Sequence, residues 1–467
     1  MTILVTGGSG ILGRPLIRNL LQQGHEVIGL CRTPPEEKHR TLRWLKGDVS
    51  KPMLGLDEQT WRNLETGLSA IFHLAARTDF SGKNLQEYAA VNIDGVQHIK
   101  ELALSSGAWL HHVSTAFVCG DWQGEFREDQ LRENQSFHNH YEESKYCGEC
   151  VLRRDPAPQF TVYRPAIILE RAPTTKSLSA FGPFVFLDGV FRICLGMIKH
   201  SDQLETLRVD GDPDASLPFV FDDEVAETLA QLARDTSIAG RTYHLTPREP
   251  FANHLLEKIF NEAFGRQVVR MVKDGLKNGA KPSTAERILA KRTKMYQPYM
   301  ALNTTFGREN TDERYPAAIP AIDDKELLTA FSLFLATKKD VNRVVRQDVA
   351  FHIGYYFNHF LSRHAGQPLI KNLSSLSARL HIEISGHSSW TITIEKGVLT
   401  TIEEGNFGDF GYCTDGDTFL QIAAGRRSPQ QLFFKGAIQL IGNPREALRT
   451  ATALEEFFKE YPYDGNS

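Results

Sequence analysis

Three groups of side chains have the types and spacing that chemistry needs. The first is Thr6-Gly7-Gly8-Ser9-Gly10-Ile11-Leu12-Gly13, in which Gly7, Gly10 and Gly13 recur every third position between an apolar strand and a helical pattern. Glycines so spaced allow a tight turn, close approach of backbone to a pyrophosphate, and close packing of helix on sheet. Free N–H groups at the helix start then face the phosphates, with Ser9, Ile11 and Leu12 in the same turn. The second group is Tyr141-x-x-x-Lys145, which on a helix puts phenol and ammonium on one face. A neighbouring ammonium is expected to lower the phenol's pKa toward the range useful for proton transfer. The third is Ser114-Thr115-Ala116, at the end of an apolar run about 26 residues before Tyr141, which offers a hydroxyl to a substrate oxygen.

The second apolar strand, HEVIGLC, ends in Cys31-Arg32-Thr33. A carboxylate there would hold ribose hydroxyls; the guanidinium of Arg32 suits a 2′-phosphate instead, so NADPH is expected over NADH. Cys147-x-x-Cys150 shares the Lys145 helix and has no second pair near it, so it is read as helix packing, and no metal site is expected. His138 and His140 are read as loop residues beside Tyr141. Phe181 to Ile198 is unusually apolar, and core packing competes there with an acyl-chain entrance or contact with a membrane surface.

The elements that must position these groups alternate. From Thr2 to about Thr246, short β-branched runs (ILVTG, HEVIGLC, SAIFHLAA, WLHHVST, FTVYRPAII, TYHLT) are separated by helical patterns such as Arg14 to Gln23 and Leu85 to Ser106. That order predicts an α/β fold, a Rossmann-type doubly wound parallel sheet buried on both faces. Residues 251–340 read as a helical lobe with a turn at Lys277 to Pro282 and an aromatic cluster at Tyr296 and Tyr299. Beyond about Val341, Arg346 to Arg363 reads as an amphipathic helix. Leu380, Ile382 and Ile384, then Trp390, Ile392 and Ile394, alternate with polar residues, as in strands with one buried face. Helical patterns return at Thr418 to Ala424 and Asn443 to Phe458, which makes residues 341–467 an antiparallel α+β domain distinct from residues 1–250.

With 53 basic and 57 acidic residues among 467, the chain has neither a nucleic-acid-binding charge excess nor an acidic tail. Six scattered cysteines do not make a disulfide framework, and no run of about 18 apolar residues spans a bilayer. With a strand-like run directly after Met1-Thr2 no signal peptide is expected, and Asp464 to Ser467 is not expected to act as a peroxisomal address. A cytoplasmic protein is therefore expected, with peripheral membrane contact left open.

In this order, TGGSGILG, GDV (Gly47 to Val49), HLAA (His73 to Ala76), VNIDG (Val91 to Gly95), STA, YxxSK and RPA (Arg164 to Ala166) resemble the extended short-chain dehydrogenase/reductase superfamily. The resemblance implies Thr115, Tyr141 and Lys145 as the catalytic set. It implies a cofactor cleft of Gly7, Ser9, Gly10, Ile11, Leu12, Gly13, Arg32, Asp48, Val49, Ala75 and Ala76, with Tyr141 and Lys145 at its nicotinamide end. HLAARTDF, SKYCGE and, more loosely, Tyr296 to Thr311 are similar to thioester reductases and fatty acyl-CoA reductases. Trp390 to Gly405 and Ser428 to Phe458 resemble the sterol-carrier-protein lipid-binding domain, which implies an apolar tunnel for an acyl chain or sterol. The expected function is NADPH-dependent reduction of a long-chain acyl thioester, carried by coenzyme A or an acyl carrier protein, with the C-terminal domain holding the chain. Oxidoreduction of a ketone or secondary alcohol on a sterol or β-keto lipid is the alternative. A non-catalytic, nucleotide-binding lipid carrier is the third reading.

Overall fold

A computed structural model describes residues 1–36, 39–173, 182–200, 205–273, 281–339, 341–345, 349–366 and 376–463. The chain divides into two compact units, residues 1–263 with 267–332, and residues 264–266 with 333–467.

The first unit is built on seven parallel strands: β1 (Thr2–Thr6), β2 (Glu26–Cys31), β3 (Leu42–Lys46), β4 (Ala70–His73), β5 (Trp109–Val113), β6 (Phe160–Pro165) and β7 (Thr242–Leu245). Their order across the sheet is β3-β2-β1-β4-β5-β6-β7. This is the doubly wound order, in which the direction of winding reverses between β1 and β4. Ile3 and Val5 enter one core with Leu16, Ile17 and Leu20 of the helix Gly13–Gln22. Leu4, between them, enters the opposite core with Val96, Ile99 and Leu102 of the helix Asp94–Ser106. Two-sided burial explains why these strands read as unbroken apolar runs, each fully buried aliphatic contributing roughly 1.5–3 kcal/mol.

The helix expected over Leu85 to Ser106 is two helices, Gln86–Asn92 and Asp94–Ser106, broken at Ile93. The break is useful because it turns Asn92 inward. Its Nδ2 donates to the Arg77 carbonyl (2.9 Å) and to Ser144 Oγ (2.8 Å), and its Oδ1 accepts from Arg77 N (2.7 Å).

Beneath the sheet's end lies a fully buried ion pair. Arg164 of β6 grips Glu149 with two bonds of 2.9 Å, and Arg153 adds a third at 2.8 Å. Burial opposes ionisation of Glu149, but the two guanidiniums overcome it and pull the carboxyl down to about 2. Glu149→Leu strands the Arg164 charge, and the expected loss is about 3–5 kcal/mol in urea unfolding. A loss below about 1 kcal/mol would mean that water reaches Arg164.

Residues 304–312 return to the first unit: Thr304–Phe306 pairs in parallel with Gly124–Phe126. Asn310 N and the Thr311 hydroxyl then donate to the buried Glu128 carboxylate (2.6 and 2.7 Å), which also accepts from His244 N (2.8 Å). The turn expected at Lys277 to Pro282 lies outside the described residues as far as 280.

The second unit has a five-stranded sheet: β8 (Ala378–Ser385), β9 (Ser389–Glu395), β10 (Val398–Glu404), β11 (Phe410–Asp415) and β12 (Gln439–Ile441). It is mixed, not antiparallel, because the chain leaves β10 at one edge and crosses over, so that β11 pairs with β8 in parallel. Leu380, Ile382 and Ile384 are buried as their alternation requires. His381, between them, is buried too, in space that only Gly408 and Gly411 leave: a Cβ on Gly411 would lie 2.4 Å from His381 Nε2. The helix expected over Arg346 to Arg363 is described from Val349, where it runs to Tyr355 and continues irregularly through His364. Between sheet and helices, Phe357 stacks on Trp390 (4.5 Å) and on Phe419 (5.2 Å), so aromatic rings occupy that part of the interior. The C-terminal tetrapeptide lies outside the described residues.

Candidate active site

One cleft of about 1510 Å³ at the carboxyl ends of the strands is lined by every residue singled out in the sequence as a catalytic or cofactor candidate. Gly7 to Gly13 follow β1, Arg32 follows β2, Asp48 and Val49 follow β3, Ala75 and Ala76 follow β4, and Thr115 follows β5. Tyr141 and Lys145 reach the same cleft from the helix His140–Leu152. Crevices at the reversal point of a doubly wound sheet are where such folds bind ligands.

The glycines are required by contact. Gly7 sits at φ +71°, and a Cβ there would lie 2.8 Å from Ala75 N; a Cβ on Gly13 would lie 2.3 Å from Gly7 O. No side chain caps the helix Gly13–Gln22; Arg14 N donates to the Gly10 carbonyl (3.2 Å) and Pro15 has no N–H, so any anion is met by the glycine turn ahead of the helix. These residues fit a dinucleotide. Burial disfavours ionisation of Asp48, yet hydrogen bonds from Ser50 and the charges of Arg32 and Lys51 hold its carboxyl below the usual range. Arg14 and Arg18 line the same cleft as Arg32.

The helix carrying Tyr141 starts where Asn139 caps it, accepting from Glu142 N (3.0 Å). Gly148 lets it pack tightly, since a Cβ there would lie 2.6 Å from Asn92 O. Asn92 holds Ser144, whose hydroxyl donates to Tyr141 O (2.7 Å), so the loop at Arg77 and the Tyr141 turn are tied together. Thr115 Oγ1 accepts from Phe117 N (3.3 Å) and hydrogen-bonds the Tyr141 phenol.

The electrostatics differ from the expectation. Burial raises the Tyr141 pKa well above that of a free phenol, the Thr115 bond opposing it only in part. Lys145 does not act on the phenol here: its Nζ donates to the Val113 carbonyl (2.8 Å), and burial brings its pKa down to about 8. The ammonium charge therefore survives at neutral pH.

Several cleft residues escaped the sequence reading. Phe80 faces Tyr141 (5.6 Å between rings), Tyr296 (5.3 Å) and Tyr299 (5.9 Å), and Phe117 meets Tyr299 edge-on (5.0 Å). The Tyr299 hydroxyl donates to the buried Glu142 carboxylate and accepts from Asn139 (2.8 Å). Glu142 in turn accepts from His138 N (2.9 Å) and raises the imidazole's pKa through their side-chain bond. The tyrosines at 296 and 299 were visible as a cluster, but nothing local placed them over Tyr141. Beyond them the cleft wall turns apolar, with Phe186, Val190, Val209, Leu217, Phe219 and Phe260. Phe186 and Val190 belong to the helix Pro183–His200, which supplies both core and cleft wall. No helix among the described residues is long and apolar enough to cross a membrane. Cys147 and Cys150 are free thiols, and among the described residues no cluster of three or more His, Cys, Asp or Glu could hold a metal.

Residues 5–228 match the family described as Male sterility protein, through its NAD-binding model. The match covers just under half of the chain and lies within the first unit. The first unit is an oxidoreductase domain of the extended short-chain dehydrogenase/reductase type that uses a nicotinamide cofactor. The chain is similar to the terminal R domain of the myxalamid PKS-NRPS biosynthetic pathway (TM-score 0.60, 22% identity, covering 71% of this chain and 90% of that one). It also resembles the UDP-glucuronic acid 4-epimerase of Bacillus cereus (TM-score 0.53, 16% identity, 72% and 97%). Both likenesses show the fold. Among curated proteins it is similar to peramine synthetase ppzA of Metarhizium majus (strain ARSEF 297), 29% identical over 199 residues, 36% of this chain and 7% of that protein. A 3-beta-hydroxysteroid dehydrogenase of Mycolicibacterium neoaurum is 30% identical over 156 residues, 32% of this chain and 41% of that one. The chain thus spans less than half the length of these curated relatives.

In this domain, Gly13→Ala drives a methyl into backbone that has nowhere to move. Strain of about 1–3 kcal/mol is expected. Affinity for the nicotinamide dinucleotide should fall by at least about tenfold in a fluorescence titration. An unchanged Kd would remove the turn from the cofactor site.

Proposed function

We propose that the first unit is an NADPH-dependent reductase of an acyl thioester with a hydrocarbon chain, borne on coenzyme A or an acyl carrier protein. The observation that carries this reading is a single cleft joining the glycine turn, Thr115, Tyr141 and Lys145 to an apolar wall. The similarity to an R domain of a PKS-NRPS pathway and to peramine synthetase supports a carrier-bound substrate.

The glycine turn from Gly7 to Gly13 would hold NADPH, which would supply the hydride. Tyr141 and Thr115 hydrogen-bond the substrate carbonyl oxygen as negative charge develops on it. Tyr141, kept protonated by burial, donates its proton there, and the hemithioacetal so formed breaks its C–S bond, releasing the thiol and leaving an aldehyde. Lys145 holds its positive charge in the same cleft, where it would bind the ribose at the nicotinamide end. Phe80, Tyr296 and Tyr299 exclude water from the reacting carbon, and the apolar wall beyond takes the chain. Arg32 binds the 2′-phosphate, so Arg32→Ala is expected to erase most of a preference for NADPH over NADH, about 10- to 100-fold in kcat/KM. Equal kcat/KM ratios in the two proteins would assign the preference elsewhere.

The deciding experiment follows NADPH oxidation and thiol release together, with long-chain acyl-CoA and with lipid ketones. Matched oxidation and thiol release supports thioester reduction. Oxidation with ketones alone moves the protein to the secondary-alcohol reading, which the hydroxysteroid dehydrogenase similarity favours. For the second unit, lipid binding is the reading that its sequence resemblance supports, tested by titrating the chain with a fluorescent fatty acid.

A further inference from the structure

The second unit carries a surface that its own packing does not use. In the short helix Pro429–Phe434, Pro429 and Leu432 are buried, yet Phe434 at its end is 82% exposed. Lys435 and Gly436 follow it, both exposed, and a Cβ on Gly436 would touch nothing within 4 Å. Beside it runs the long helix Pro444–Glu460, whose Arg445, Leu448, Arg449 and Thr452 recur at i, i+3, i+4 and i+7 and are all exposed. Ser428 bonds Glu455 (2.9 Å) and Gln430 bonds Thr452 (2.9 Å). The two helices are therefore antiparallel neighbours, and continuing that register carries Phe434 toward the turn of Leu448 and Arg445. Arg426 and Arg427 flank the other end of the short helix, both exposed.

Charge on this surface is one-sided. Arg426, Arg427, Lys435, Arg445 and Arg449 form no ion pair among the described residues, whereas Glu455 is taken by Lys459 (2.8 Å) and Ser428. Glu446, Glu456 and Glu460 are exposed acids of the long helix, the first on its first turn and the other two near its far end. Phe434 and Leu448, at 82% and 41% exposed, protrude, so they suit a fluid partner that closes around them. Long basic stems can keep their charges at a headgroup layer while a phenylalanine enters below it.

We propose that this face, Phe434 and Leu448 ringed by Lys435, Arg445, Arg449 and the Arg426–Arg427 pair, docks the protein on an anionic lipid surface. Phosphates of the headgroups pair with the cations, and Phe434 inserts at the acyl boundary. The docking is independent of the reductase reading.

The test is co-sedimentation of the full chain with vesicles of phosphatidylcholine alone and of phosphatidylcholine with 30% phosphatidylserine (about that fraction suffices for a surface potential). Binding is expected on the anionic vesicles only, weakening as salt rises. Arg445→Glu with Arg449→Glu, and separately Phe434→Ser, should each lower the partition by on the order of tenfold or more. NADPH affinity should stay unchanged in both variants. No sedimentation with anionic vesicles, equal sedimentation with neutral ones, or variants that bind as well as the parent would overturn the proposal. Retention on an acidic carrier protein, lost in the same variants and absent on vesicles, would overturn it in favour of a protein partner.

Discussion

Tyr141→Phe is expected to lower kcat by about 100- to 10,000-fold, the contribution typical of a positioned proton donor. The substitution removes one oxygen and keeps the ring that Phe80 faces at 5.6 Å. NADPH binding and the fold should therefore be unaffected, which single-turnover kinetics and a cofactor titration separate. The phenol's raised pKa gives the prediction a second edge. Because burial keeps the proton on Tyr141 throughout the neutral range, the rate should show no loss from phenol ionisation as pH rises from about 7 to about 9. Lys145, whose pKa is brought down to about 8, does titrate there, so any decline in that range belongs to the ammonium. A Tyr141→Phe protein that kept a tenth of the activity would mean that the proton comes from elsewhere in the cleft.

The second large effect is on stability in mild acid. His73, His111, His112 and His244 all lie inside the seven-stranded sheet. Desolvation pushes three of them down to about 3 and His112 well below its ordinary value. Each stays neutral when folded, while the unfolded chain takes up a proton below about 6.5. Between about 6.5 and about 3 the unfolded state thus binds more protons. The stabilisation is complete above about 6.5 and is lost as pH falls, by about 1.4 kcal/mol per unit for each ring. At about pH 5 this approaches roughly 2 kcal/mol per histidine, a large share of a typical domain's stability. Urea midpoints measured at about pH 7.5, 6.5 and 5.5 should fall progressively, well before carboxylates titrate. Equal midpoints would show that the imidazoles accept protons within the folded sheet. Glu149, held at about 2, adds its own loss only below the ordinary carboxylate range.

What the sequence made legible was local. The turn at Gly7, Gly10 and Gly13 is specified by residues that touch one another, and the spacing of Tyr141 and Lys145 suits the helix His140–Leu152, although His140, read as a loop residue, opens that helix behind its cap Asn139. Strand runs in the first unit could be read because both faces are buried, which leaves few polar interruptions. The errors share a cause. Ile93 breaks a helix whose periodicity continues through it, because Asn92 has partners at Arg77 and Ser144 that no local pattern announces. Tyr299 reaches Glu142 across 157 positions. His381 reads as the polar half of an alternation, yet two glycines laid down later in the chain leave room to bury it. The parallel pairing of β8 and β11 likewise depends on where the chain crosses, and the strand residues are compatible with either direction. Even the pKa of Tyr141 followed burial, which is a property of the assembled cleft, over the spacing of Tyr141 and Lys145.

The buried carboxylate of Glu128 also sets a schedule for the growing chain. One of its bonds comes from His244, and the others come from Asn310 and Thr311. The last strand of the sheet, β7, leaves the ribosome some 60 residues before those donors do. At about 5–20 residues per second, the nascent sheet spends several seconds with an acid that has only the His244 bond and otherwise turns to water. During that interval Phe126 has Trp122, Arg164 and His244 against its ring but lacks the strand Thr304–Phe306 that pairs with its own. Synthesis therefore passes through a stage in which seven strands exist and the unit is still incomplete, and that stage is where a holding chaperone would find its substrate.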